Sequence, residues 1–320
     1  MSDFIEMFQI DQKSEMQDFI KKHGFVIVKD ILSQEECDLT TQDVNQQIKA
    51  LDSRFEISNP TTYEYMKTHG QFGMITKEPI FTHQFLMNRQ NTKLLEAFKA
   101  VYPENTKLIS GHDRFTLYRP TKEPVGKEIF KTPYKYPGLH LDMDPQMYLE
   151  HYDTYIQKQS TLSYNDRLRD FISENNYLYS GSQPIYQGLI NIWNNDYEDG
   201  GLQLVSGFHN HFNEWYEKKK FKGAPGTESG FHFNVMDPID MEYVHSPMRI
   251  PLPPGALVIW DKRLAHGSVP NDSVNARLMQ FIMIRPDHSF LPEVLEKRTK
   301  TLKKILKQNG FDKKLTKNHP

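Results

Sequence analysis

Short runs of β-branched and aromatic residues, separated by glycine, proline and asparagine, recur through the second half of the chain. The two clearest are "PPGALVIWDKRLAHGS" (253–268) and "ARLMQFIMIRP" (276–286), and "PIYQGLINIWNN" (184–195) has the same character. Apolar runs of this length between turn residues are typical of strands buried in a sheet. Many strands at short spacing favour a β-sandwich or barrel. We therefore expect a sheet-based core in this half of the chain.

A helix–strand–helix unit is predicted near the N-terminus. Residues 14–23 have apolar side chains at helical spacing, and the β-branched run of residues 24–30 predicts a buried strand. Ser33 and Glu36 have the spacing of a capping box, which predicts a helix from there to about Leu51.

Other helices are expected outside the strands. Residues 91–102 have helical spacing, and the polar, tyrosine-rich stretch of residues 145–183 is mostly helix-forming. The lysine-rich C-terminal segment, residues 291–320, begins with an apolar stripe that predicts a helix docked on the body. The predicted fold class is mainly β with helices: a β-sandwich or barrel core flanked by N-terminal helices and a helical insertion. The apolar stripe of the C-terminal segment consists of Leu295, Leu302, Ile305 and Leu306.

Composition limits the partners and the compartment. The formal net charge is −2, so the chain lacks the basic field that attracts nucleic acid. The single cysteine, Cys37, excludes an internal disulfide framework and fits a reducing compartment. We find no secretory signal pattern, no apolar run near the roughly 20 residues that span a bilayer, and no peroxisomal address in "KNHP". We expect a cytoplasmic protein that binds a small molecule, binds no nucleic acid and does not insert into a membrane, and the sequence leaves its oligomeric state open.

The stretch "GLHLDMDPQ" (138–146) contains a histidine and an aspartate two positions apart. Alternate side chains of a strand point to the same face, so His140 and Asp142 can converge on one divalent transition metal. A second pair at this spacing, His151 and Asp153, falls in the helix-forming stretch. Residues two apart on a helix point in different directions, so we expect the second pair to be a solvated helix face.

A third ligand and an arginine complete a coherent set. His266 lies in "LAHGSVPND", and Arg277 opens the last strong strand; the turn residues between them predict that the two lie on adjoining antiparallel strands. Two histidines and a carboxylate on one face of an octahedral ion are associated with Fe(II) oxygenases and leave three positions open. A 2-oxo acid can fill two of them and O₂ the third. Arg277 then suits the distant carboxylate as a bidentate partner, and Ser268 can add a hydroxyl hydrogen bond.

These stretches together resemble the phytanoyl-CoA dioxygenase family of Fe(II)/2-oxoglutarate-dependent oxygenases. The order and spacing of the four motifs carry the resemblance more than any one of them. They are "FIKKHGFVIVKDILSQEEC" (19–37), "HLD" (140–142), "DYEDGGLQLVSGFHN" (196–210) and "PPGALVIWDKRLAHGSVPNDSVNARLMQFIMIRP" (253–286).

The resemblance implies a role for each matching residue. His140, Asp142 and His266 would bind Fe(II), and Arg277 would bind the C5 carboxylate of 2-oxoglutarate. Ser268 would be a lesser contact, and Arg119 in "TLYRP" stands where relatives often have a lysine near the co-substrate.

The resemblance also implies a fold and an activity. The core would be a double-stranded β-helix (jelly-roll, cupin-like) within one oxygenase domain covering residues 1–320. The core itself would span about residues 15–290, with the helical insertion at about 145–183 and the basic tail at about 291–320. The expected reaction is hydroxylation of a C–H bond of a small molecule, with O₂ and 2-oxoglutarate consumed and succinate and CO₂ released.

Two other functions remain open at this point. A catalytically inactive relative could use the same core for binding or assembly, although such a scaffold has no need for all four side chains. A zinc hydrolase could use the same three ligands, but that function leaves Arg277 without a purpose.

Overall fold

The computed structural model describes residues 5–66, 73–122, 138–164, 168–179, 183–222 and 230–311. The helices are α1 (Lys13–His23), α2 (Gln34–Leu51), α3 (His83–Arg89), α4 (Thr92–Val101), α5 (Pro145–Leu149), α6 (Tyr152–Ser160), α7 (Asp170–Ser173), α8 (Phe208–Lys219), α9 (Pro238–Val244) and α10 (Pro292–Gln308). The strands are β1 (Phe25–Val28), β2 (Leu108–Ser110), β3 (Phe115–Tyr118), β4 (His140–Leu141), β5 (Tyr186–Asn191), β6 (Gly201–Leu204), β7 (Phe231–His232), β8 (Met248–Arg249), β9 (Leu257–Asp261), β10 (His266–Val269), β11 (Arg277–Ile282) and β12 (Ile284–Pro286). Short 3₁₀ turns cover Pro60–Tyr65, Glu174–Asn176, Tyr197–Asp199 and Asp287–Ser289.

The N-terminal helix–strand–helix unit forms as the sequence predicts. The helix α1 ends at Gly24, which has a φ of +81° that a residue with a Cβ rarely adopts. The capping box at the start of α2 is present. The Ser33 hydroxyl accepts from the Glu36 backbone N–H at 3.2 Å, and the Glu36 carboxylate accepts from the Ser33 N–H at 2.8 Å.

Two five-stranded antiparallel sheets form the centre of the fold. Sheet I has the strand order β1-β9-β5-β11-β3, and sheet II has the order β7-β4-β10-β6-β8. The strands β12 and β2 form a separate ribbon. Neighbours in both sheets come from distant parts of the chain, so their pairing brings the end of the sequence against its middle.

Sheet I is the central layer of the molecule because its two faces bury different partners. On β9, Leu257 and Ile259 pack into a core with residues of α2 and α4. The alternate residues Val258 and Trp260 pack instead with sheet II, for example with Leu204 of β6. Side chains of a strand alternate between its two faces, so a strand buried on both faces packs alternate residues against different partners. Helices therefore cover one face of sheet I, and sheet II covers the other.

The expected pairing of His266 with Arg277 on adjoining strands is wrong. The strand β10 pairs with β4 and β6 in sheet II, whereas β11 pairs with β3 and β5 in sheet I. The turn residues between them do not close a hairpin, because they bond to another part of the chain. The hydroxyl of Ser273 donates to Asp199 at 2.7 Å, and the N–H of Asp272 donates to the carbonyl of Glu198 at 2.8 Å. This segment crosses from one sheet to the other.

Helices contribute more to the fold than the sequence predicts. The helix α2 has 18 residues, while the longest strands, β5 and β11, have six each. The chain is therefore a mixed fold of helices and antiparallel sheets, which corrects the expectation of a mainly β protein.

The predicted insertion and the C-terminal segment both contain helices. The helices α5, α6 and α7 fall in the insertion, of which residues 165–167 and 180–182 lie outside the described residues. The helix α10 is docked through Val294, Ile305 and Leu306, as its apolar stripe predicts, and the tail beyond residue 311 is likewise outside them. Among the described ranges, no helix combines the length and the apolar character needed to cross a membrane.

Candidate metal centre

The structure brings His140, Asp142 and His266 together on sheet II. His140 lies in the two-residue strand β4, Asp142 follows it, and His266 opens β10 directly opposite His140 in the antiparallel register. One ligand atom from each residue lies within 4.8 Å of the others. The Asp142 carboxylate sits between the two rings, with Oδ1 3.5 Å from His140 Nε2 and Oδ2 3.3 Å from His266 Nε2. These three donors can hold one metal ion.

Backbone carbonyls determine which ring nitrogen of each histidine faces the site. His140 Nδ1 lies 2.9 Å from the carbonyl oxygen of Gly138, and His266 Nδ1 lies 2.9 Å from that of Leu264. A carbonyl only accepts, so each Nδ1 must carry the proton and donate it. The neutral tautomer then has its lone pair on Nε2, which is the nitrogen that points at Asp142. Such a hydrogen bond typically orients a metal-ligating histidine.

The electrostatics keep Asp142 ionised. Burial favours its neutral form, but the hydrogen bonds and charges of His140 and His266 outweigh burial and hold the pKa of Asp142 well below its usual range. Burial disfavours the charged form of His140, yet the hydrogen bond and negative charge of Asp142 raise the pKa of His140 overall. A divalent cation would replace the proton that these groups otherwise share.

Gln187 orients the carboxylate, and the sequence analysis did not identify it. It projects from β5 of sheet I, and its Nε2 donates to Asp142 Oδ2 at 2.6 Å. A single glutamine in a strand has no sequence signature. Its role becomes visible only when sheet I is placed opposite sheet II.

A cavity of about 470 Å³ opens between the two sheets at this point. The three clustered side chains form part of its wall on sheet II, and Gln187 and Trp260 lie on the facing wall of sheet I. This volume lies within the range of roughly 300–1,000 Å³ that is typical of small-molecule sites.

Arg277 lies beside the cavity with its charge unpaired. It is 1% exposed, and its guanidinium carbon lies 4.1 Å from the ring centre of Tyr118, which lines the cavity. Among the described residues, none of its three guanidinium nitrogens meets an acceptor in hydrogen-bonding geometry. Burial lowers the pKa of Arg277. Ser268 lines the cavity on β10, two residues beyond His266 on the same strand.

The structure does not bring Arg119 to the cavity. Residues of β3 alternate between the two faces of sheet I: Phe115 and Leu117 pack in the core on the helix side, and Tyr118 lines the cavity. Arg119 has the parity of Leu117, so it points away from the cavity, and its Nη2 donates to the carbonyl of Met66. Burial lowers the pKa of Arg119 to about 10.

The second histidine–aspartate pair is exposed, as predicted. His151 precedes α6 and Asp153 lies in its first turn, and both are exposed residues outside the cluster.

Comparison with known proteins identifies the family of the chain. A Dictyostelium discoideum protein named "Putative phytanoyl-CoA dioxygenase" is 31% identical over 297 residues, which cover 91% of this chain and 81% of that protein. The chain belongs to the phytanoyl-CoA dioxygenase family. No model in the protein-family scan matches it.

Solved structures share the fold at low sequence identity. GlcNAc Inducible Gene 2 from Candida albicans aligns with a TM-score of 0.57 and 14% identity, over 88% of this chain and 66% of that one. The non-heme alpha ketoglutarate dependent epimerase SnoN from nogalamycin biosynthesis aligns with a TM-score of 0.51 and 10% identity, over 89% of each chain. At such identity these likenesses show the arrangement of helices and sheets alone.

Proposed function

We propose that the protein is an Fe(II)- and 2-oxoglutarate-dependent dioxygenase that hydroxylates a C–H bond of a small molecule. The observation that carries this proposal is the cluster of His140, Asp142 and His266, whose ligand atoms lie within 4.8 Å of one another beside a cavity. Two imidazole nitrogens and one carboxylate are the donor set of Fe(II) sites that keep open positions. Membership of the dioxygenase family supports the same activity.

The residues present fit both the metal and the co-substrate. The two Nε2 atoms face the Asp142 carboxylate because both Nδ1 atoms are bonded to the backbone. Arg277 offers a buried, planar cation with unpaired donors, which suits the C5 carboxylate of 2-oxoglutarate. Ser268 stands on the same cavity wall as His266 and offers a hydroxyl to that carboxylate.

Each part of the chain has a defined task in the reaction. Bound iron with O₂ and 2-oxoglutarate supplies the oxidation: one oxygen atom enters the product as hydroxyl, the other enters succinate, and CO₂ leaves. The carbonyls of Gly138 and Leu264 hold the histidine rings, and Gln187 holds the carboxylate. Trp260 and Tyr118 are cavity walls that exclude water from the reacting carbon.

The proposal also extends to the architecture. We take sheets I and II as the two halves of a double-stranded β-helix, or jelly roll, in a single oxygenase domain of residues 1–320. The cavity between the halves would then hold the iron, with its ligands on β4, directly after β4 and on β10.

The test is an anaerobic titration of Fe(II)-loaded protein with 2-oxoglutarate. Chelation of the iron should produce a weak visible absorption band near about 500–530 nm, as expected for this ligand set. The band should disappear in His266→Ala and require much more 2-oxoglutarate in Arg277→Ala. An iron-loaded protein without the band would refute the proposal. It would favour a binding scaffold, or a metal hydrolase if ester or amide cleavage proceeds without 2-oxoglutarate.

A further inference from the structure

Arg114 presents unpaired donors to the cavity at a distance from the proposed co-substrate site. It precedes β3 and has the parity of Thr116 and Tyr118, so it lies on the inner face of sheet I and lines the cavity. Its side chain is 19% exposed. Its Nε is occupied by Asp113, but neither Nη1 nor Nη2 has an acceptor among the described residues.

Neighbouring residues hold this guanidinium in place. Asp113 Oδ1 accepts from the backbone N–H of Arg114 at 2.7 Å and from its Nε at 3.0 Å. Asp113 Oδ2 accepts from Asn175 Nδ2 at 3.1 Å. Asp113 thus holds the arginine through Oδ1 and is itself held by Asn175 through Oδ2. The outer edge of the guanidinium, formed by the two terminal nitrogens, is left for a ligand.

Two buried basic side chains hold Asn175 in place. Lys262 is buried, and its Nζ donates to the backbone carbonyl of Asn175 at 2.8 Å. Arg285 donates to the side-chain oxygen of Asn175. Arg285 is also paired with Glu174, so these contacts fix Asn175, and through it Asp113, rather than adding a net charge to the wall.

Arg114 lies two strands away from Gln187, the residue of sheet I that contacts the proposed metal ligand Asp142. The carbonyl of Arg114 accepts from the N–H of Phe281 on β11, and Phe281 pairs with Leu189 on β5. Gln187, two residues along β5 on the same face, contacts Asp142. Adjacent strands are about 4.8 Å apart, so Arg114 stands roughly 10 Å across the sheet from the residue that holds the carboxylate.

The backbones of Arg277 and Arg114 are far apart on the inner face of sheet I, which favours a separate anion for each. Arg277 and Phe281 are four residues apart on β11, which is about 13 Å along a strand. Arg277 is therefore at one end of the cavity, and Arg114, beside Phe281, is at the other. With 2-oxoglutarate bound between Arg277 and the iron, Arg114 stays available for the substrate.

We propose that Arg114 binds a carboxylate of the substrate, so that the enzyme oxidises a compact free carboxylic acid. The inference rests on the proposed oxygenase function and adds a substrate class to it. A planar carboxylate matches the paired Nη1 and Nη2 donors, whereas a coenzyme A thioester has lost the negative charge that they recognise. The apolar cavity residues Ile172, Phe281 and Met283 suit the hydrocarbon part of such an acid. The carbon that is hydroxylated would then lie several bonds from the carboxylate, because Arg114 stands two strands away from Gln187, which contacts Asp142.

The experiment measures binding to protein loaded anaerobically with Fe(II) and 2-oxoglutarate. The probes are linear carboxylic acids of about six to ten carbons, which span roughly 10 Å when extended, and the primary amides of the same chains. Binding is followed by calorimetry and by the change in the visible band. We expect the acids to bind at least tenfold more tightly than the amides. Arg114→Gln should weaken acid binding by about 10- to 100-fold and remove the preference over the amide.

A matched control separates this effect from a general loss of charge. Arg54 also pairs with an aspartate close in sequence, Asp52, but its side chain is 63% exposed. Arg54→Gln should leave acid binding unchanged.

The outcomes distinguish this inference from the proposed function. If wild-type protein lacks the visible band, the oxygenase function itself fails. If the band is present but no acid binds, the substrate class is wrong. The same holds if Arg114→Gln binds acids as wild type does, or if the coenzyme A thioester of an acid binds as tightly as the acid. A band in Arg114→Gln shows that this variant is folded and loaded.

Discussion

Among the described residues of the helical insertion, Glu174 is the most deeply buried carboxylate, and replacing it should destabilise the protein strongly. Its side chain is 0% exposed. One carboxylate oxygen accepts from Arg285 on β12, and the other accepts from Arg298 Nε on α10 at 2.8 Å and from the Tyr164 hydroxyl at 2.8 Å. This carboxylate therefore joins the insertion, the ribbon strand and the C-terminal helix.

The magnitude follows from the charges that Glu174→Gln would leave behind. Arg285 and Arg298 are at most 1% exposed, so water cannot solvate them in place of the missing carboxylate. Burial lowers the pKa of Arg285 even with Glu174 present, which shows that its charge is costly in this position. Removing one partner of a buried ion pair typically costs about 3–5 kcal/mol. That is a large part of the roughly 5–15 kcal/mol by which a protein of this kind is stable.

Urea unfolding followed by circular dichroism measures this cost. The control is Glu56→Gln, because the ion pair of Glu56 with Lys49 has 39% of each side chain exposed, so water screens it and its contribution to stability should be small. We expect Glu174→Gln to lower the free energy of unfolding by about 3–5 kcal/mol. A loss no larger than that of the control would refute the reasoning.

Three further substitutions test individual contacts of the site. Gln187→Ala removes the donor to Asp142 and should weaken Fe(II) binding about 10- to 100-fold in competition with a chelator; unchanged affinity would mean that Gln187 does not orient the ligand. Gly201→Ala places a Cβ against Arg277 Nη1, at a residue whose φ of +131° already disfavours a side chain. We therefore expect 2-oxoglutarate to bind at least about tenfold more weakly by calorimetry. Wild-type affinity in this variant would count against Arg277 as the partner of 2-oxoglutarate. Arg119→Gln should bind 2-oxoglutarate within about twofold of wild type, because Arg119 points away from the cavity; a tenfold loss would contradict that placement.

Local patterns in the sequence predict much of this structure. The capping box of Ser33 and Glu36 marks the start of α2, and the period of two places His140 and Asp142 on one side of the chain. These features depend on residues a few positions apart, so their geometry is determined by backbone conformation alone. The prediction that His266 joins His140 and Asp142 came from the order of the motifs along the chain, not from a local pattern.

Features that depend on sheet assignment were not predictable from the sequence. His266 and Arg277 lie in different sheets because the segment between them bonds to Asp199 and Glu198, which no local pattern indicates. The expectation that Arg119 lies near the co-substrate met the same limit. The sequence shows which residues of β3 share a face. It does not show which of the two faces meets the cavity, because that depends on the helices packed against the opposite face.

Fe(II) stoichiometry in matched alanine variants tests the proposed metal site most directly. The chain contains its own control, because His151 and Asp153 repeat the spacing of His140 and Asp142 at the start of α6, where both are exposed. Metal content after anaerobic loading and gel filtration should be about one Fe(II) per chain in wild type and in His151→Ala. It should fall to near zero in His140→Ala, with the circular dichroism spectrum unchanged. Retention of the full iron content by His140→Ala, or its loss from His151→Ala, would contradict the assignment of the site.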